Sequence, residues 1–436
     1  MSIVRHPART GGSTATRAFT ARVLFFAFLG TLFDGAELNL VGYPMAYISQ
    51  SLDVSTLQIV QVATLQGFAS IAGGILCGWL GDIVGRRWTY TGSVLMFGIA
   101  ALLGGLAPTY LLFLLTRLLA GVGMGGLFGL SFSMFAECWK TRKRGMMGGS
   151  IQAMYFVGQI LTEGVLYFCL VRFGEHTGWR TGYILIGVAT LVIGAAAAVL
   201  LPESEQWRTY QRELTEGRIP ENLRRTKVPL LDLFRGGYAR GTFLFMGLAT
   251  ALFLTTNSLI SYLSTFLIKV EKVPLGTASL IVLLGLIVTA VTYPVAGLLS
   301  DVLKRKWAFF ASSAFGLIGF VWFLTLVLTH STAIGADFWA SPTFWALMMC
   351  AGASGGFGVL GVWMAEFFPT RIRSSGSNLG YYAGRGLGAG LFPLIALSLA
   401  GTVPLALALG IVGPFLGAFL AVAAPDSTGR HIEAIE

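Results

Sequence analysis

The sequence predicts an all-α membrane protein with twelve transmembrane helices in two pseudo-symmetric six-helix bundles. Of its 436 residues, 55% are hydrophobic and only 11% are charged, and the mean hydropathy is +0.74. A soluble domain does not need so much apolar surface, whereas each helix that spans a bilayer needs about 20 apolar residues. Because lipid offers the backbone no hydrogen-bond partner, we expect every such stretch to be helical.

Twelve apolar stretches follow one another along the chain. The predicted spans are 22–47, 57–81, 88–107, 109–137, 145–171, 179–201, 240–268, 275–300, 307–329, 341–365, 376–398 and 403–423. A long polar segment lies between the sixth and seventh spans, and we expect it to be a cytoplasmic linker. The predicted organisation is an N-terminal bundle with its tail (1–201), the linker (202–239) and a C-terminal bundle with its tail (240–436).

The basic residues predict the orientation of the chain. The net charge is +10, and the lysines and arginines concentrate in the tails, the linker and every second connection. The connections on the other side contain only Arg172, Arg180, Lys269 and Lys272. This bias follows the positive-inside rule and predicts that both termini are cytoplasmic. The basic excess therefore indicates membrane topology, and we expect no nucleic-acid partner.

Two short motifs recur in the second half of the chain. GWLGDIVGRR (78–87) returns as GLLSDVLKRK (297–306), and AECWKTRKRG (136–145) returns as AEFFPTRIRS (365–374). Each copy follows the second or fourth span of its half. The chain is therefore predicted to be a duplicated six-span unit, with a binding site at mid-membrane where the halves meet.

These motifs carry a resemblance to a known family. GWLGDIVGRR resembles the signature between spans two and three of the major facilitator superfamily, RLLAGVGMGG (117–126) resembles its span-four motif, and LPESEQW (201–207) its motif after span six. We expect Arg86 and Arg87 to anchor at anionic headgroups or to take part in gating. We expect the carboxylates of the repeated motifs to form a latch on the cytoplasmic face, with helix ends as partners: Asp82, Glu137, Asp301 and Glu366.

The resemblance implies a transporter, and the sequence indicates how transport is driven. No lysine follows a glycine, so the phosphate-binding loop of nucleotide hydrolases is missing and transport is expected to be secondary. All four histidines fall in tails or loops, which leaves Asp34, Glu37 and Glu163 as candidates for proton coupling within spans. No span contains the residues of a metal or nucleophilic centre, so neither an enzyme nor a cofactor is expected.

The stretch FDGAELNLVGYP (33–44) places Asp34 and Glu37 on one face of the first span. Charges buried in a membrane are rare and usually functional. FDGAEL resembles the D-G-x-D signature of metabolite:proton symporters, and also span one of sugar porters, whose second carboxylate pairs with an arginine of span four. Carried over, this resemblance implies that Glu37 and Arg117 form a proton switch, and it leaves the role of Asp34 open.

Two further resemblances concern the substrate. SIQAMYFVGQIL (150–161) resembles span five of sugar porters, which implies that Gln152 and Gln159 line the pocket, and Asn257 with Tyr262 resembles a span-seven feature of that family. NLGYYAGRGLGAGLFP (378–393) is similar to span eleven of sialate and monocarboxylate symporters. This implies that Tyr382 and Arg385 bind a carboxylate, for which a guanidinium is suited.

Together these features predict proton-coupled symport of a small organic acid by a monomer in the bacterial plasma membrane. Two alternatives stay open. The first is a proton-coupled sugar porter, which the glutamines and Asn257 favour. The second is a drug/proton antiporter, although such a protein is expected to carry a proline in its fifth span and this chain has none there. For Arg385 the alternatives are that its side chain extends to the membrane interface or that it forms a structural pair with Glu163.

Overall fold

The structure is a computed structural model that describes residues 13–139, 141, 143–219, 229–335 and 337–428. The described residues are helices joined by short connections, and no strand occurs among them. The first half consists of α1 (Ser13–Gly42), α2 (Met45–Ser51), α3 (Thr56–Ile83), α4 (Arg86–Leu106), α5 (Tyr110–Met124), α6 (Leu127–Cys138) and α7 (Arg144–Leu200).

The segment between the halves contains α8 (Glu205–Thr215) and α9 (Pro229–Asp232). The second half consists of α10 (Tyr238–Thr265), α11 (Leu275–Leu303), α12 (Arg305–Leu328), α13 (Pro342–Gly352), α14 (Phe357–Phe367), α15 (Arg373–Arg385), α16 (Phe392–Ala400), α17 (Val403–Ala408) and α18 (Val412–Ala423). Two π-helical segments extend α10 and α15, at Phe266–Val270 and Gly386–Leu391.

The predicted all-α fold class is confirmed, and twelve helical crossings can be counted among the described residues. Ten helical stretches are long and apolar enough to span a membrane. One of them, α7, has 57 residues and counts twice, since Gly174 within it has non-helical φ and ψ angles of 78° and 172°. The remaining crossing, the eleventh in chain order, combines α15, the following π-helical segment and α16.

Some predicted boundaries were wrong. The first span was expected to reach residue 47, but α1 ends at Gly42 and a new helix begins after Pro44. The ring of Pro44 removes a backbone donor and clashes with the preceding turn, which interrupts the helix. The connection expected at residues 172–178 is shorter than predicted: the break between the two spans lies at Gly174, where glycine tolerates the positive φ, and helix continues on both sides of it.

Both halves have a hydrophobic core of their own. One buried cluster consists only of residues of the first half and contains the aromatic side chains of Phe113, Trp179 and Tyr183. A second cluster around Phe266 and Phe323 belongs to the second half. A third cluster contains residues of both halves and fills the space between them.

The two ends of the helix bundle differ in their connections. We call the end at which α1 begins and α18 ends the terminal face; it also contains the connections 84–85 and 368–372, together with residues 139, 141, 143 and 304. The other end, which we call the opposite face, contains the connections 43–44, 52–55, 107–109, 271–274 and 401–402.

The predicted linker is partly helical. Ser204 caps α8 by accepting a hydrogen bond from the Trp207 amide at 3.1 Å. The Trp207 indole then donates to the Asp82 carbonyl at 3.0 Å, which packs α8 against the terminal face. Residues 220–228 of the linker, and the tails 1–12 and 429–436, lie outside the described residues. The division into two bundles at 202–239 stays a prediction.

Candidate functional site

A cavity of about 590 Å³ lies between the two halves. The first half contributes α1, α2, α3 and α7 to its wall, and the second half contributes α10, α11, α14, α15, the π-helical segment after α15 and α16. Met45 and Val60, near the opposite face, lie at one end of the cavity, and Gln152 and Tyr381 lie deeper. The cavity therefore extends from mid-bundle towards the opposite face.

Aromatic rings form much of the cavity wall. The rings that line it come from both halves and include Tyr155, Phe156, Phe253, Tyr293, Phe357 and Tyr381. Tyr381 stacks on Phe128 with ring centroids 3.7 Å apart and planes inclined by 13°. Such surfaces present flat apolar faces with polar edges, which suit a planar or compact organic molecule.

Arg385 carries the only charge among the described residues that line the cavity. It is the last residue of α15, and the π-helical segment Gly386–Leu391 begins directly after it. Its exposed fraction is 7%, and among the described residues it forms no ion pair and no hydrogen bond. Its guanidinium, which has five N–H donors, is thus available to a ligand in the cavity.

The neutral residues predicted to contact substrate divide into two groups. Gln152, Asn257 and Tyr262 line the cavity, and the Asn257 amide also donates to the Phe253 carbonyl at 3.1 Å. Gln159 does not line it; the Gln159 carbonyl accepts a hydrogen bond from the Asn39 side chain at 3.3 Å.

Tyr382 also lies outside the cavity wall, so its prediction as a substrate contact was wrong. Its hydroxyl donates to the Met124 carbonyl at 2.6 Å, and its side chain is fully buried. A Cβ atom on Gly74 would lie only 2.7 Å from the Tyr382 ring, so the glycine is needed for this contact between halves. Because successive helix residues point about 100° apart, Tyr381 faces the cavity instead.

Asp34 lies just beyond the cavity wall. Its exposed fraction is 6%, and its Oδ1 atom is buried without a hydrogen-bond partner. The residues close enough to interact with it electrostatically include Arg385, Tyr155 and Tyr381, all of which line the cavity. Asp34 and Arg385 come from different halves of the chain.

Glu37 and Arg117 form a buried ion pair. The Arg117 Nη1 and Glu37 Oε1 atoms are 2.6 Å apart, and neither residue is exposed. Arg117 also donates to the Ala100 carbonyl at 2.7 Å, and its guanidinium lies 5.0 Å from the centre of the Tyr183 ring. The pair is enclosed within the first half and does not line the cavity, and its role as a proton switch stays a prediction.

Glu163, the third predicted coupling residue, lies apart from these groups. Its Oε1 atom accepts a hydrogen bond from the Asn39 side chain at 3.0 Å. It lines a separate cavity of about 300 Å³ together with Tyr43, Ser264 and Ser279. Among the described residues it pairs with neither Arg117 nor Arg385, so the alternative of an Arg385–Glu163 pair was wrong.

At the terminal face, Asp82 joins the two halves. Its carboxylate accepts hydrogen bonds from the Ser374 amide (3.1 Å), the Ser375 amide (2.9 Å) and the Ser375 hydroxyl (2.7 Å). These amides belong to the first turn of α15, where backbone N–H groups have no partner within the helix. A carboxylate of the first half thus caps a helix of the second half.

Asp301 makes the pseudo-symmetric contact. It accepts hydrogen bonds from the amides of Gly145 (2.7 Å) and Met146 (3.0 Å), in the first turn of α7. Here a carboxylate of the second half caps a helix of the first half. The repeated motifs therefore build the same cross-half contact twice.

Glu137 and Glu366 complete this set of contacts, each with two arginines. Glu137 Oε1 lies 3.3 Å from Arg86 Nη2 and 2.5 Å from Arg373 Nη1. Glu366 Oε1 lies 2.9 Å from Arg305 Nη2 and 3.3 Å from Arg144 Nη1. In both sets one arginine comes from each half. We call these four carboxylates and their partners the terminal-face latch.

The expected headgroup contact of Arg86 was wrong. The residue is fully buried, and its Nη2 atom donates to the Thr370 carbonyl of the other half at 2.7 Å. Arg87 is partly buried; its guanidinium donates to the Ala198 carbonyl and lies 4.7 Å from the centre of the Trp88 ring.

Several members of the latch were not predicted from the sequence. Arg144, Arg305 and Arg373 counted there only as positive charges on the cytoplasmic side, yet Arg305 and Arg373 are buried against carboxylates. The signal was present, because all three lie within the repeated motifs. Ser374 and Ser375 were missed because their contribution is mainly through backbone amides.

Two sets of helices with a cavity between them, joined by polar contacts at one end, are an arrangement found in many membrane transporters. The sequence matches the family described as the Major Facilitator Superfamily over residues 27–336. The chain belongs to this superfamily and is a multi-pass membrane transporter.

Similar proteins include several bacterial transporters. The chain is 30% identical over 400 residues to the cis,cis-muconate transport protein of Acinetobacter baylyi, covering 88% of this chain and 87% of that protein. It is 28% identical to an inner membrane metabolite transport protein of Escherichia coli, with 82% of each chain covered. A sialic acid transporter of Escherichia coli is 22% identical, with 92% of each chain covered.

Solved structures show the same fold. The proton:xylose symporter XylE bound to 6-bromo-6-deoxy-D-glucose superposes with a TM-score of 0.75, covering 96% of this chain and 98% of that chain. A partially occluded inward-open structure of XylE from Escherichia coli gives a TM-score of 0.63, covering 95% and 99%. The sequence identity is 18% in both comparisons.

Proposed function

We propose that this protein is a proton-coupled symporter that takes up a small organic acid across the bacterial plasma membrane. The observation that carries the proposal is Arg385, a cation in the wall of the central cavity with no protein partner among the described residues. An unpaired cation at this depth is unfavourable, so such residues are usually functional. A carboxylate ligand would satisfy its charge and its donors with paired hydrogen bonds.

The rest of the cavity suits the body of such an acid. Tyr155 and Tyr381 flank the region of Arg385 with aromatic surface, and Gln152 and Asn257 offer neutral amides at other points of the wall. The carboxylate group is therefore recognised by charge, and the rest of the molecule by apolar contact and single hydrogen bonds.

Several of the similar proteins support the same substrate class, whereas two others are probable polyol transporters of Arabidopsis thaliana. The names of two supporting proteins specify muconate and sialic acid, and a third is a putative niacin/nicotinamide transporter of Bacillus subtilis. Muconate, sialic acid and niacin are carboxylic acids. A proton partner is supported by Asp34 and Glu37 in α1, with Glu163 as a third candidate.

The closed terminal face supports uptake from outside. With both termini cytoplasmic, as the basic residues predict, the latch seals the cytoplasmic side and the cavity extends towards the exterior. An anion and a proton would enter together from the exterior, and parting of the latch would release them inside. Each chain has a complete cavity, so we propose that a monomer performs transport.

Purified protein in proteoliposomes tests the substrate class with matched acids and amides. Nicotinate with nicotinamide, and benzoate with benzamide, differ mainly in the charge that Arg385 would bind. We expect uptake of an acid under an inward proton gradient and little uptake of its amide. If no carboxylate in a panel that includes muconate and sialate is accumulated, the proposal is wrong.

Substitution of Arg385 tests the contact directly. Arg385→Ala should weaken binding of the acid by about 2–3 kcal/mol, or roughly thirty- to hundredfold, and should remove the preference for acid over amide. Arg385→Lys should lose less, since it keeps the charge but not the planar guanidinium. If Arg385→Ala keeps the preference, Arg385 does not hold the carboxylate.

A proton-coupled sugar porter is the second candidate. Gln152, Thr256 and Asn257 line the cavity and could bind the hydroxyls of a neutral sugar. Accumulation of xylose or another neutral sugar by the same proteoliposomes, with no accumulation of any acid, would favour this candidate.

A further inference from the structure

A second cavity, with a volume of about 300 Å³, has walls from both halves of the chain. One face of α11 lines it over three turns, through Leu275, Ala278, Ser279, Val282, Leu283 and Leu286. The rest of the wall consists of Glu163 on α7, Ser264 on α10, Ile268 in the π-helical segment after α10, and Tyr43 in the connection after α1. The cavity is therefore mostly aliphatic and contains a single charged side chain.

Glu163 is held in place but keeps one carboxylate oxygen available. The Asn39 side-chain amide donates to Glu163 Oε1 at 3.0 Å and to the Gln159 carbonyl at 3.3 Å, which fixes the position of the carboxylate. Among the described residues, Oε2 accepts no hydrogen bond and Glu163 forms no ion pair. The side chain is half-buried within a membrane-spanning helix. A carboxylate at such a position is unfavourable without a partner, so a cationic ligand would stabilise it.

Two serine hydroxyls add further acceptors to this cavity. Ser264 and Ser279 come from different helices, and neither side chain forms a hydrogen bond with the described residues. Together with Glu163 they offer three acceptor groups, and a primary ammonium group has three N–H donors to satisfy them. Tyr43, which is 40% exposed, offers a ring face that attracts a cation. The aliphatic wall suits the chain of an alkylamine, since burial of apolar surface is favourable.

We propose that this cavity is a second binding site, which takes a primary amine with an aliphatic chain. The ammonium group binds Glu163 and the two serine hydroxyls, and the chain lies along α11. The site differs in charge from the central cavity, where Arg385 is the charged residue, and it does not depend on the substrate proposed for that cavity.

The position of the site couples it to the conformation of the protein. α7 and α11 are in contact near the terminal face, where a Cβ atom on Gly149 would lie 2.3 Å from the carbonyl oxygen of Tyr293. Farther along the same helices, Glu163 and Leu286 line the cavity instead. A movement that closes the opposite face would bring these walls together. An amine bound between them should therefore keep that face open and the terminal face closed.

Binding is tested by calorimetry with purified protein in nanodiscs of phosphatidylcholine, a lipid without a primary amine, with empty nanodiscs as the blank. Hexylamine is the probe, because it carries an ammonium group at pH 7. The wild type should bind it saturably. Hexyltrimethylammonium should bind more weakly, since it keeps the charge but has no N–H donors, and hexanol should not bind.

Two carboxylates of α7 provide matched variants. Glu163→Gln should weaken binding of hexylammonium by about ten- to hundredfold, the loss expected for charge-assisted hydrogen bonds. Glu175→Gln removes the same charge at an exposed position outside the cavity and should leave the affinity unchanged. Equal affinities of the wild type and Glu163→Gln, or an equal loss in Glu175→Gln, would overturn the inference. Should Glu163→Gln fail to fold, binding of hexanol by the wild type as tightly as hexylammonium would overturn it as well.

The source of the amine is distinguished by nanodiscs that contain phosphatidylethanolamine, whose headgroup is a primary ammonium. A lower apparent affinity for hexylammonium in these discs supports the site with a lipid headgroup as its occupant. An unchanged affinity supports it with a soluble amine.

The effect on conformation is measured with a thiol reagent and a cysteine at Ser133 in a protein without other cysteines. Ser133 is fully buried, and its hydroxyl oxygen lies 3.4 Å from that of Ser374 in the other half. Hexylammonium at about ten times its Kd should slow alkylation roughly tenfold, because only the form with a closed terminal face binds it. Saturating hexylammonium that leaves the rate unchanged would show that the site does not hold the terminal face closed.

Discussion

Asp82 offers a direct test of the terminal-face latch through the substitution Asp82→Asn. Three hydrogen bonds from Ser374 and Ser375 converge on its carboxylate, at 2.7–3.1 Å. Asparagine has the same shape but only one acceptor oxygen, so its NH₂ group would face one of the two backbone amides. The substitution therefore removes a charge and leaves a buried donor without a partner.

The expected effect follows from these contacts. An unsatisfied buried donor costs about 1–3 kcal/mol, and a hydrogen bond to a charged group contributes about 1.5–3 kcal/mol. Since one acceptor oxygen is retained, we expect the closed terminal face to lose about 2–3 kcal/mol. The population in which the two halves part at this face should rise roughly thirty- to hundredfold.

A cysteine at Ser133 can report this opening. Ser133 is fully buried, and its hydroxyl oxygen lies 3.4 Å from that of Ser374 in the other half. In a protein whose four native cysteines are replaced by alanine, a thiol reagent should reach Ser133→Cys only when the halves separate. The alkylation rate should therefore rise with the open population in Asp82→Asn.

Two matched substitutions complete the test. Asp301→Asn should raise the rate in the same direction, since Asp301 makes the pseudo-symmetric contact with Gly145 and Met146. Asp426→Asn should not, because Asp426 pairs with Lys304 of its own half at 3.5 Å. An unchanged rate in Asp82→Asn, or an equal rise in Asp426→Asn, would show that these carboxylates do not hold the halves together.

Three further predictions concern packing, the buried ion pair and topology. Gly158→Ala should lower the melting temperature far more than Gly164→Ala in the same helix. A Cβ atom at position 158 would lie 1.8 Å from a backbone oxygen of α1, whereas a Cβ atom at position 164 would meet no described atom within 4 Å. Glu37→Gln should destabilise the protein by about 3–5 kcal/mol by leaving Arg117 buried without a counter-charge, and the double variant with Arg117→Gln should recover part of this loss in thermal unfolding. An impermeant reagent should label a cysteine at Arg218, whose side chain is 70% exposed, only in inside-out vesicles; labelling in intact cells would contradict the predicted orientation.

The sequence alone determined the membrane fold and the main candidates for coupling. Hydropathy is a local property, so apolar stretches predict the twelve crossings without knowledge of packing. Asp34, Glu37 and Arg385 stand out for the same reason, since a charge within an apolar stretch is visible in one dimension. The repeated motifs likewise predicted where carboxylates would be used at the terminal face.

Only the tertiary structure decided which side chains reach the cavity. Tyr381 and Tyr382 are neighbours in sequence with the same chemistry, yet one lines the cavity and the other packs against Gly74 and Met124. Gln159 lies seven residues after Gln152 on α7 and nevertheless stays outside the cavity wall. The rotation of each helix about its axis depends on its packing contacts, which a resemblance between short motifs does not fix.

The tertiary structure also decided the role of the basic residues. Their distribution along the chain predicts orientation, but it does not distinguish an exposed arginine from one buried between the halves. Arg373 reaches Glu137 across 236 positions of sequence, and Arg86 reaches the Thr370 carbonyl across 284. Contacts between residues this far apart arise only when the two halves close on each other, so they belong to the three-dimensional arrangement and leave no local signal in the sequence.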